Sequence, residues 1–524
     1  MPTASSMLSA SLGLLTLIVS LAACESTPDL TGPAPSTDAA ARDAGSDAGL
    51  SDDTGSDAAE HDDAGGEDSG LDAGVPGSDA SGSGDTGPDG SLPPPELILV
   101  SGGVPAATVV LPQHEHPAER YAAEELARYL RAISGAELPI VVEGGPQLTG
   151  PTIEVGKTEA AVSAFPSELT GKPEGIFMEA STERLILTGG SNRAVLYAVY
   201  LFLEEKLGCR WLALDVEHVP ASPSITLSPF RIVTAPAFDL RTFPARLERN
   251  WTWGQKMGFN GLFSAQTEPT DAGFSYLPAA VWGAHGYASI IPPATYSSTH
   301  PEWFPLIGGV RKTNGQLCVT APGLAEEFAK TVAALFTADP HLQHVSISPN
   351  DGRIGWCECN ACTALDQRLN GGRTTKLGLL PDAPFMGDRA FWFANKVANE
   401  VAKTHPHARL LHLAYVNYTE PPDSVTPAAN VIPWLAHYAP GEYSRPIADP
   451  ASAANALFND YLTRWARKAP RLLFYSYVGK SMWWSLPRPV MSNFAADIRH
   501  LSQLGIHRYY AQSPLGDWAL DGPL

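Results

Sequence analysis

From Phe238 to Leu524, short β-branched and aromatic runs alternate with helical stretches, and this alternation limits the fold more than any other feature of the chain. Candidate strands fall near Asp239–Phe243, Gly258–Phe263, Trp282–Tyr287, His344–Ser348, Arg409–Tyr415, Val431–Tyr438, Leu472–Tyr477 and Arg508–Gln512. Helical patterns over Gly323–Phe336, Asp388–Thr404, Ala451–Lys468 and Asn493–Gly505 separate several of them. Consecutive strands spaced by helices pair in parallel, and eight such units within residues 237–524 are expected to form one (β/α)8 barrel. Twelve residues follow Gln512, too few for a typical final helix. Either the chain is truncated, or another element covers the seam between strands one and eight.

Residues 96–236 carry a second α/β pattern. Leu97–Val100, Thr108–Leu111, Ile153–Val155, Gly175–Glu179 and Arg184–Thr188 read as strands. Pro117–Ser134 reads as a helix opened by proline and closed by Gly135, with Ala122, Leu126, Tyr129, Leu130 and Ile133 on its buried face. A second helix over Arg193–Lys206 follows Gly189-Gly190-Ser191-Asn192. Such a turn can cradle phosphate, but the G-x-G-x-x-G spacing is absent, and Ser191 or Asn192 suffices as an N-cap. The expectation is a small α/β sandwich domain ahead of the barrel.

The residues before Glu96 cannot build a core. Between Glu25 and Pro95 stand 17 acidic side chains and one basic, Arg42, in Asp/Ala/Gly/Ser repeats almost free of bulky groups. Such a segment buries too little apolar area to offset its ordering entropy, so residues 25–95 are expected to be a disordered acidic linker. The calcium-loop spacing is absent from its aspartates. From Glu96 onward 39 acids face 34 bases, which leaves no surplus of positive charge for phosphates and disfavours nucleic acid as a partner. Residues 1–24 hold an apolar run, Met7–Ala23, that is short for a bilayer span and suits a signal peptide. Its end, Leu21-Ala22-Ala23-Cys24, resembles the bacterial lipobox. That resemblance implies lipidation at Cys24 and a lipid-anchored place in the cell envelope, at the outer membrane or cell surface.

Several strings carry a further resemblance: Trp282-Gly283-Ala284-His285, His300-Pro301-Glu302-Trp303-Phe304, Gln316-Leu317-Cys318, Ser346-Ile347-Ser348-Pro349-Asn350-Asp351-Gly352 and Cys357-Glu358-Cys359-Asn360-Ala361-Cys362. Together with Ala414-Tyr415 and Pro421-Pro422 they resemble the domain-of-unknown-function family 4838. The preceding domain, with Gly208-Cys209-Arg210-Trp211, resembles the α/β domain found ahead of the barrel in bacterial α-glucuronidases and β-hexosaminidases. These resemblances imply a TIM-type barrel related to glycoside hydrolases. They carry no activity with them, so function has to be argued from the site.

In such barrels the working groups lie at the C-terminal ends of the strands. Asp351 stands there after strand four and is the candidate general acid for protonating a glycosidic oxygen. The competing reading makes Asn350-Asp351-Gly352 a turn. Glu302 is the candidate second carboxylate, against a reading as a solvated loop acid; Glu420 and Asp517 are further acids near strand ends. His285, His300, Trp303, Asn350, Tyr415, His437, Tyr477 and Trp483 form the candidate sugar platform, since rings and forked hydrogen-bonders suit the faces and edges of an oligo- or polysaccharide. No cofactor is required for this chemistry. Cys318, Cys357, Cys359 and Cys362 leave three readings open: a structural site for zinc or another metal, disulfides such as Cys318 with one loop cysteine, or free thiols. The leading expectation is a surface-anchored glycoside hydrolase for a complex or uronic-acid-containing saccharide. The alternative is a non-catalytic carbohydrate-binding lipoprotein on a degenerate barrel.

Overall fold

The computed structural model describes residues 95–145, 149–213, 216–242, 251–262, 275–276, 284–339, 342, 344–377, 380–438, 442–477 and 491–512. The expected signal peptide with Cys24, nearly all of the linker, Trp483 and Asp517 lie outside these residues. Among the described residues no helix is long and apolar enough to cross a membrane.

The first folded region is built on a six-stranded sheet in the order 230–234, 176–180, 184–189, 152–155, 108–111, 140–142. The last four strands of that order are parallel, whereas Ile176–Ala180 runs antiparallel to Arg184–Gly189 and to Phe230–Thr234. Helix Pro117–Ser134 has the bounds the sequence predicts. It is fixed by Pro117 in its first turn, by reciprocal bonds between His116 and Glu119, and by Gly135 in the left-handed region at φ 77°. Alternation along the strands sorts the core: Leu185 and Leu187 face this helix and helix Asn192–Glu205, while Ile186 faces Ala161, Leu169 and Phe177. Ser191 caps the second helix by accepting from the Ala194 N–H at 3.2 Å.

The second region is an eight-stranded parallel sheet in the order Ser275–Tyr276, Gly261–Leu262, Leu240–Thr242, Arg508–Gln512, Leu473–Tyr477, Val431–Ala436, Arg409–Ala414, His344–Ser346. In chain order that is three-two-one-eight-seven-six-five-four, the order of a TIM-type (β/α)8 barrel. Strands one and eight pair directly, Leu240 opposite Arg508 and Thr242 opposite Tyr510, so at that seam the strands themselves make the join.

Two expectations need correction here. Strand three is Ser275–Tyr276, whereas Tyr287 opens a short helix, Tyr287–Ile290. Strands two and four are also shorter than expected, Gly261–Leu262 and His344–Ser346. Where strands three and four would meet, residues 284–286 lie against the end of strand four. Ser346 Oγ donates to the Ala284 carbonyl at 3.1 Å, and the Gly286 N–H donates to the Ser348 carbonyl at 3.0 Å. A Cβ on Gly286 would stand 2.9 Å from the Ser346 carbonyl oxygen, so only glycine permits this approach.

Strands five to eight share their residues between two layers. Leu411, Leu413, Ile432, Trp434, Leu473, Tyr475 and Tyr510 point into the barrel, while Leu410, Val431, Leu435 and Phe474 face the helices Leu324–Ala338, Gly387–Ala402, Ala453–Lys468 and Met491–Gln503. Strands five and six are joined by a loop holding a single 3-10 turn, Val416–Tyr418. The two regions are riveted at a buried carboxylate: Glu174 of the first accepts from Arg193 of the same region and from Arg241 and Asn260 of the barrel.

Candidate active site at the mouth of the barrel

The loop after strand four is held from its first residue. Ser348 Oγ bonds Ser346 Oγ at 3.0 Å and accepts from the Leu413 N–H at 2.9 Å, which ties the strand end to strand five. Asn350 is clasped on every side. Its N–H and carbonyl exchange 2.8 Å bonds with the Gln316 side chain, its Nδ2 donates to the Gly315 carbonyl, and its Oδ1 accepts from the Ala288 N–H. Each of its polar groups has a partner within the protein, so Asn350 positions the loop. Gly352, at φ 99°, then makes the turn.

Between these two residues Asp351 projects into solvent, its side chain 72% exposed, with Oδ1 3.4 Å from His285 Nε2. His285 Nδ1 lies 2.8 Å from the Pro349 carbonyl. A carbonyl only accepts, so Nδ1 carries a proton and Nε2 faces the carboxylate. The two groups thus stand within reach of a hydrogen bond, with Nε2 the ring nitrogen nearest Asp351. A backbone carbonyl that orients one nitrogen leaves the other aimed at the carboxylate.

Beneath this pair lies a stack of rings. His285 packs on Tyr415 at 5.7 Å between centroids, Tyr415 on Tyr438 at 5.1 Å, Tyr438 on Tyr477 at 5.4 Å, and Tyr477 on Tyr475 at 4.5 Å. Burial first, then the field of Asp351, pushes the Tyr415 phenol up; burial chiefly pushes Tyr475 up to about 12. These phenols stay protonated at neutral pH. The lower rings, Trp434, Tyr475 and Tyr510, pack against one another and fill the barrel, so the part nearest the mouth is His285, Asp351 and Tyr438, with Tyr415 and Tyr477 largely buried behind them. Val416, directly after Tyr415, is the one non-glycine at positive φ among the described residues, at 43°. A β-branched residue held there is strained, and it re-aims the chain just where the ring wall ends. The buried Asn417 that follows donates to the Arg353 and Pro384 carbonyls and ties this turn to the Asp351 loop. No sequence signal marks Val416; Gln316 stands in one of the family-like strings, which gives it no role by itself.

The remaining candidates lie elsewhere. His437 follows the outward alternation of Val431 and Leu435, packs on Phe458 at 4.4 Å and bonds Asn455 at 3.4 Å, so it belongs to the helix layer; its neighbour Tyr438 faces the mouth. His300, Glu302 and Trp303 form a group of their own. The His300 and Trp303 rings stack at 4.0 Å, Glu302 pairs with His300 Nδ1 at 3.2 Å, and the buried Trp303 indole donates to the Pro322 carbonyl. A backbone hydrogen bond and His300 lower the Glu302 carboxyl. Asp351 is thus partnered by a histidine, not by Glu302. Glu420 is fully engaged by Arg373, Thr375 and Arg464.

The group of Glu302 adjoins the cysteines, since the Cys318 N–H donates to the Trp303 carbonyl. The four sulfurs of Cys318, Cys357, Cys359 and Cys362 lie within 4.8 Å of one another. Hydrogen bonds from Cys357 and Cys362 hold the Cys318 thiol far below its ordinary range, and Cys362 is pushed up in exchange. Cys209, the other described cysteine, is buried in the first region.

Fold and site together define a TIM-type barrel behind an α/β domain, with an aspartate–histidine pair over a tyrosine wall at the C-terminal ends of its strands. The chain belongs to the family described as "Domain of unknown function (DUF4838)", which matches residues 211–519. No curated protein matches the chain. Among solved structures it is similar to a family GH115 4-O-methyl-α-glucuronidase with specificity for decorated arabinogalactans, at 13% identity over 80% of this chain and 55% of that one, TM-score 0.47. It is also similar to a β-N-acetylhexosaminidase from Bacteroides fragilis, at 11% identity over 75% of this chain and 76% of that one, TM-score 0.41. A third is the GH20 β-N-acetylhexosaminidase from Streptomyces coelicolor, at 13% identity over 81% and 79%, TM-score 0.42. The chain spans about half the length of the α-glucuronidase.

Proposed function

We propose that this protein is a glycoside hydrolase-like enzyme for a complex saccharide, with Asp351 as the proton donor and His285 as the group that orients it. The observation that carries the reading is the Asp351–His285 pair, 3.4 Å apart and open to solvent, beside Tyr415 at the functional end of the barrel. Glycosidic cleavage needs a proton delivered to the leaving oxygen, and Asp351 stands where a sugar seated on the His285–Tyr415–Tyr438 wall would present its linkage. A uronic-acid-containing glycan is the substrate class suggested by the resemblance of the α/β domain. The lipobox-like Leu21-Ala22-Ala23-Cys24 string supports an anchor at Cys24 and a place in the cell envelope.

The test is release of sugar from a broad glycan panel by the purified full chain. Asp351→Asn is expected to lower turnover by about 10²- to 10⁴-fold, the usual contribution of a positioned acid. His285→Gln, which removes the imidazole beside Asp351, is expected to lower it less. Turnover that survives Asp351→Asn unchanged would overturn the assignment. One observation favours a second reading: Asp351 pairs with a histidine, and Glu302 lies with His300. Glycan binding without turnover by the wild-type chain would establish a non-catalytic carbohydrate-binding barrel.

A further inference from the structure

Four cysteines from two separated segments converge on one point. Cys318 Sγ lies 3.6 Å from Cys359 Sγ and 3.9 Å from Cys362 Sγ, and all four sulfurs fall within 4.8 Å of one another. Sulfurs at the corners of a tetrahedron around a zinc ion, with Zn–S near 2.3 Å, stand about 3.8 Å apart. The surroundings suit thiolates. The Leu306 N–H donates to Cys357 Sγ at 3.3 Å, Arg311 Nη1 approaches the same sulfur at 3.9 Å, and Thr320 Oγ1 lies 3.2 Å from Cys362 Sγ. Helix Asn360–Asn370 begins directly after Cys359, so its positive end lies beside Cys359 and Cys362. Arg389, buried and paired with Asp366, donates to the Cys357 and Cys362 carbonyls and fixes the backbone that presents both ligands. Cys359 is half-buried and leaves a route for the ion.

We infer that Cys318, Cys357, Cys359 and Cys362 form a structural zinc site that locks the loop carrying Asp351. The lock follows from what the ligands flank. Two residues before Cys318, Gln316 clasps Asn350 and donates its N–H to the Gly355 carbonyl at 2.8 Å; two residues after Gly355 comes Cys357. Gly315 and Gly355 meet so closely that a Cβ on Gly315 would stand 2.7 Å from the Gly355 oxygen. A metal at the cysteines therefore holds both sides of the ladder on which Asp351 is mounted.

The experiment measures metal in the full chain purified without chelator, followed by alkylation and peptide mapping without reductant. One zinc per chain, with Cys318, Cys357, Cys359 and Cys362 alkylated only after chelation, is the expected result. Replacement by cobalt(II) should give thiolate-to-metal charge transfer and the strong visible bands of a tetrahedral site. Cys359→Ser, which keeps a good N-cap, should lose the metal and expose the 350–357 loop to protease. A chain without bound metal overturns the inference, whether its thiols are free or Cys318 is joined to a loop cysteine. None of these readouts depends on sugar turnover, so the zinc site stands or falls apart from the hydrolase reading.

Discussion

His412 and Asp497 oppose each other in how they make stability depend on pH. His412 is fully buried on the outer face of strand five, its Nδ1–H donating to the Leu413 carbonyl and its ring against Phe391 at 4.4 Å. Burial pushes it down to about 4. A base whose folded value is depressed contributes stability above its unfolded value, near 6.5, that is lost as pH falls toward 4, on the order of 3 kcal/mol in all. Asp497 is pushed up to about 6 by burial, against the Ile447 N–H that it accepts. Its contribution is present below its ordinary value and is lost as pH rises through 6. Between pH 4 and 6 the two slopes have opposite sign and largely offset each other. Urea unfolding of Asp497→Asn should therefore show stability dropping more steeply on acidification than in the wild type. His412→Phe should show a shallower drop, and profiles parallel to the wild type in both variants would refute the pairing. At this scale the sequence was readable where chemistry is local. Asp351 and Tyr415 stand out from residue type and from their places after strands four and five, whereas His285 stands out by residue type alone. The facing of His437 and Tyr438 turns on a one-residue alternation, and a run as uniformly apolar as Val431–Ala436 does not display it.

Elements were legible in proportion to their length. Helix Pro117–Ser134 has a proline start, a glycine stop and a long periodic stripe, and its bounds were readable from these signals. Strand three has two residues, too few for an alternation to register, and the aromatic run Trp282–Tyr287 shows the stronger strand signal. Within that run, residues 284–286 lie along strand four and deliver His285 to Asp351. Gly286 makes that approach possible, so Gly286→Ala forces its Cβ against the Ser346 oxygen. Thermal unfolding should register a loss of about 1–3 kcal/mol, the usual cost of overpacking. Because displacement there moves His285 first, turnover on any accepted glycan should fall further than stability alone explains. An unchanged melting temperature would mean that the backbone at 284–286 yields and that the strand-four contact does not set the site.

At the scale of the molecule, the parallel order of the strands followed from alternation alone, but the joint between the two regions did not, because its members are scattered polar residues with no common motif. Glu174 is 5% exposed and is met by Arg193 from helix Asn192–Glu205, Arg241 from strand one and Asn260 from the start of strand two. Burial alone would raise its carboxyl; the two guanidiniums outweigh burial and hold it below the ordinary glutamate range. A carboxylate with a depressed folded value contributes stability above its unfolded value, and that contribution disappears as pH falls through the lowered folded value. Glu174→Gln keeps the shape and removes the charge that both arginines face. Breaking a buried pair in this way costs up to about 3–5 kcal/mol, because two largely buried guanidiniums lose their counter-charge. Calorimetry at neutral pH should show the largest gap between wild type and variant, and the gap should narrow in acid below the glutamate range. Tyr197, whose hydroxyl donates to the Phe259 carbonyl, and Trp253, whose indole donates to the Trp211 carbonyl, continue the same joint. If the regions are coupled through it, the variant should separate one cooperative transition into two, the α/β domain and the barrel melting apart. A single transition at an unchanged temperature would show that these apolar neighbours hold the joint and that the carboxylate contributes nothing measurable to it.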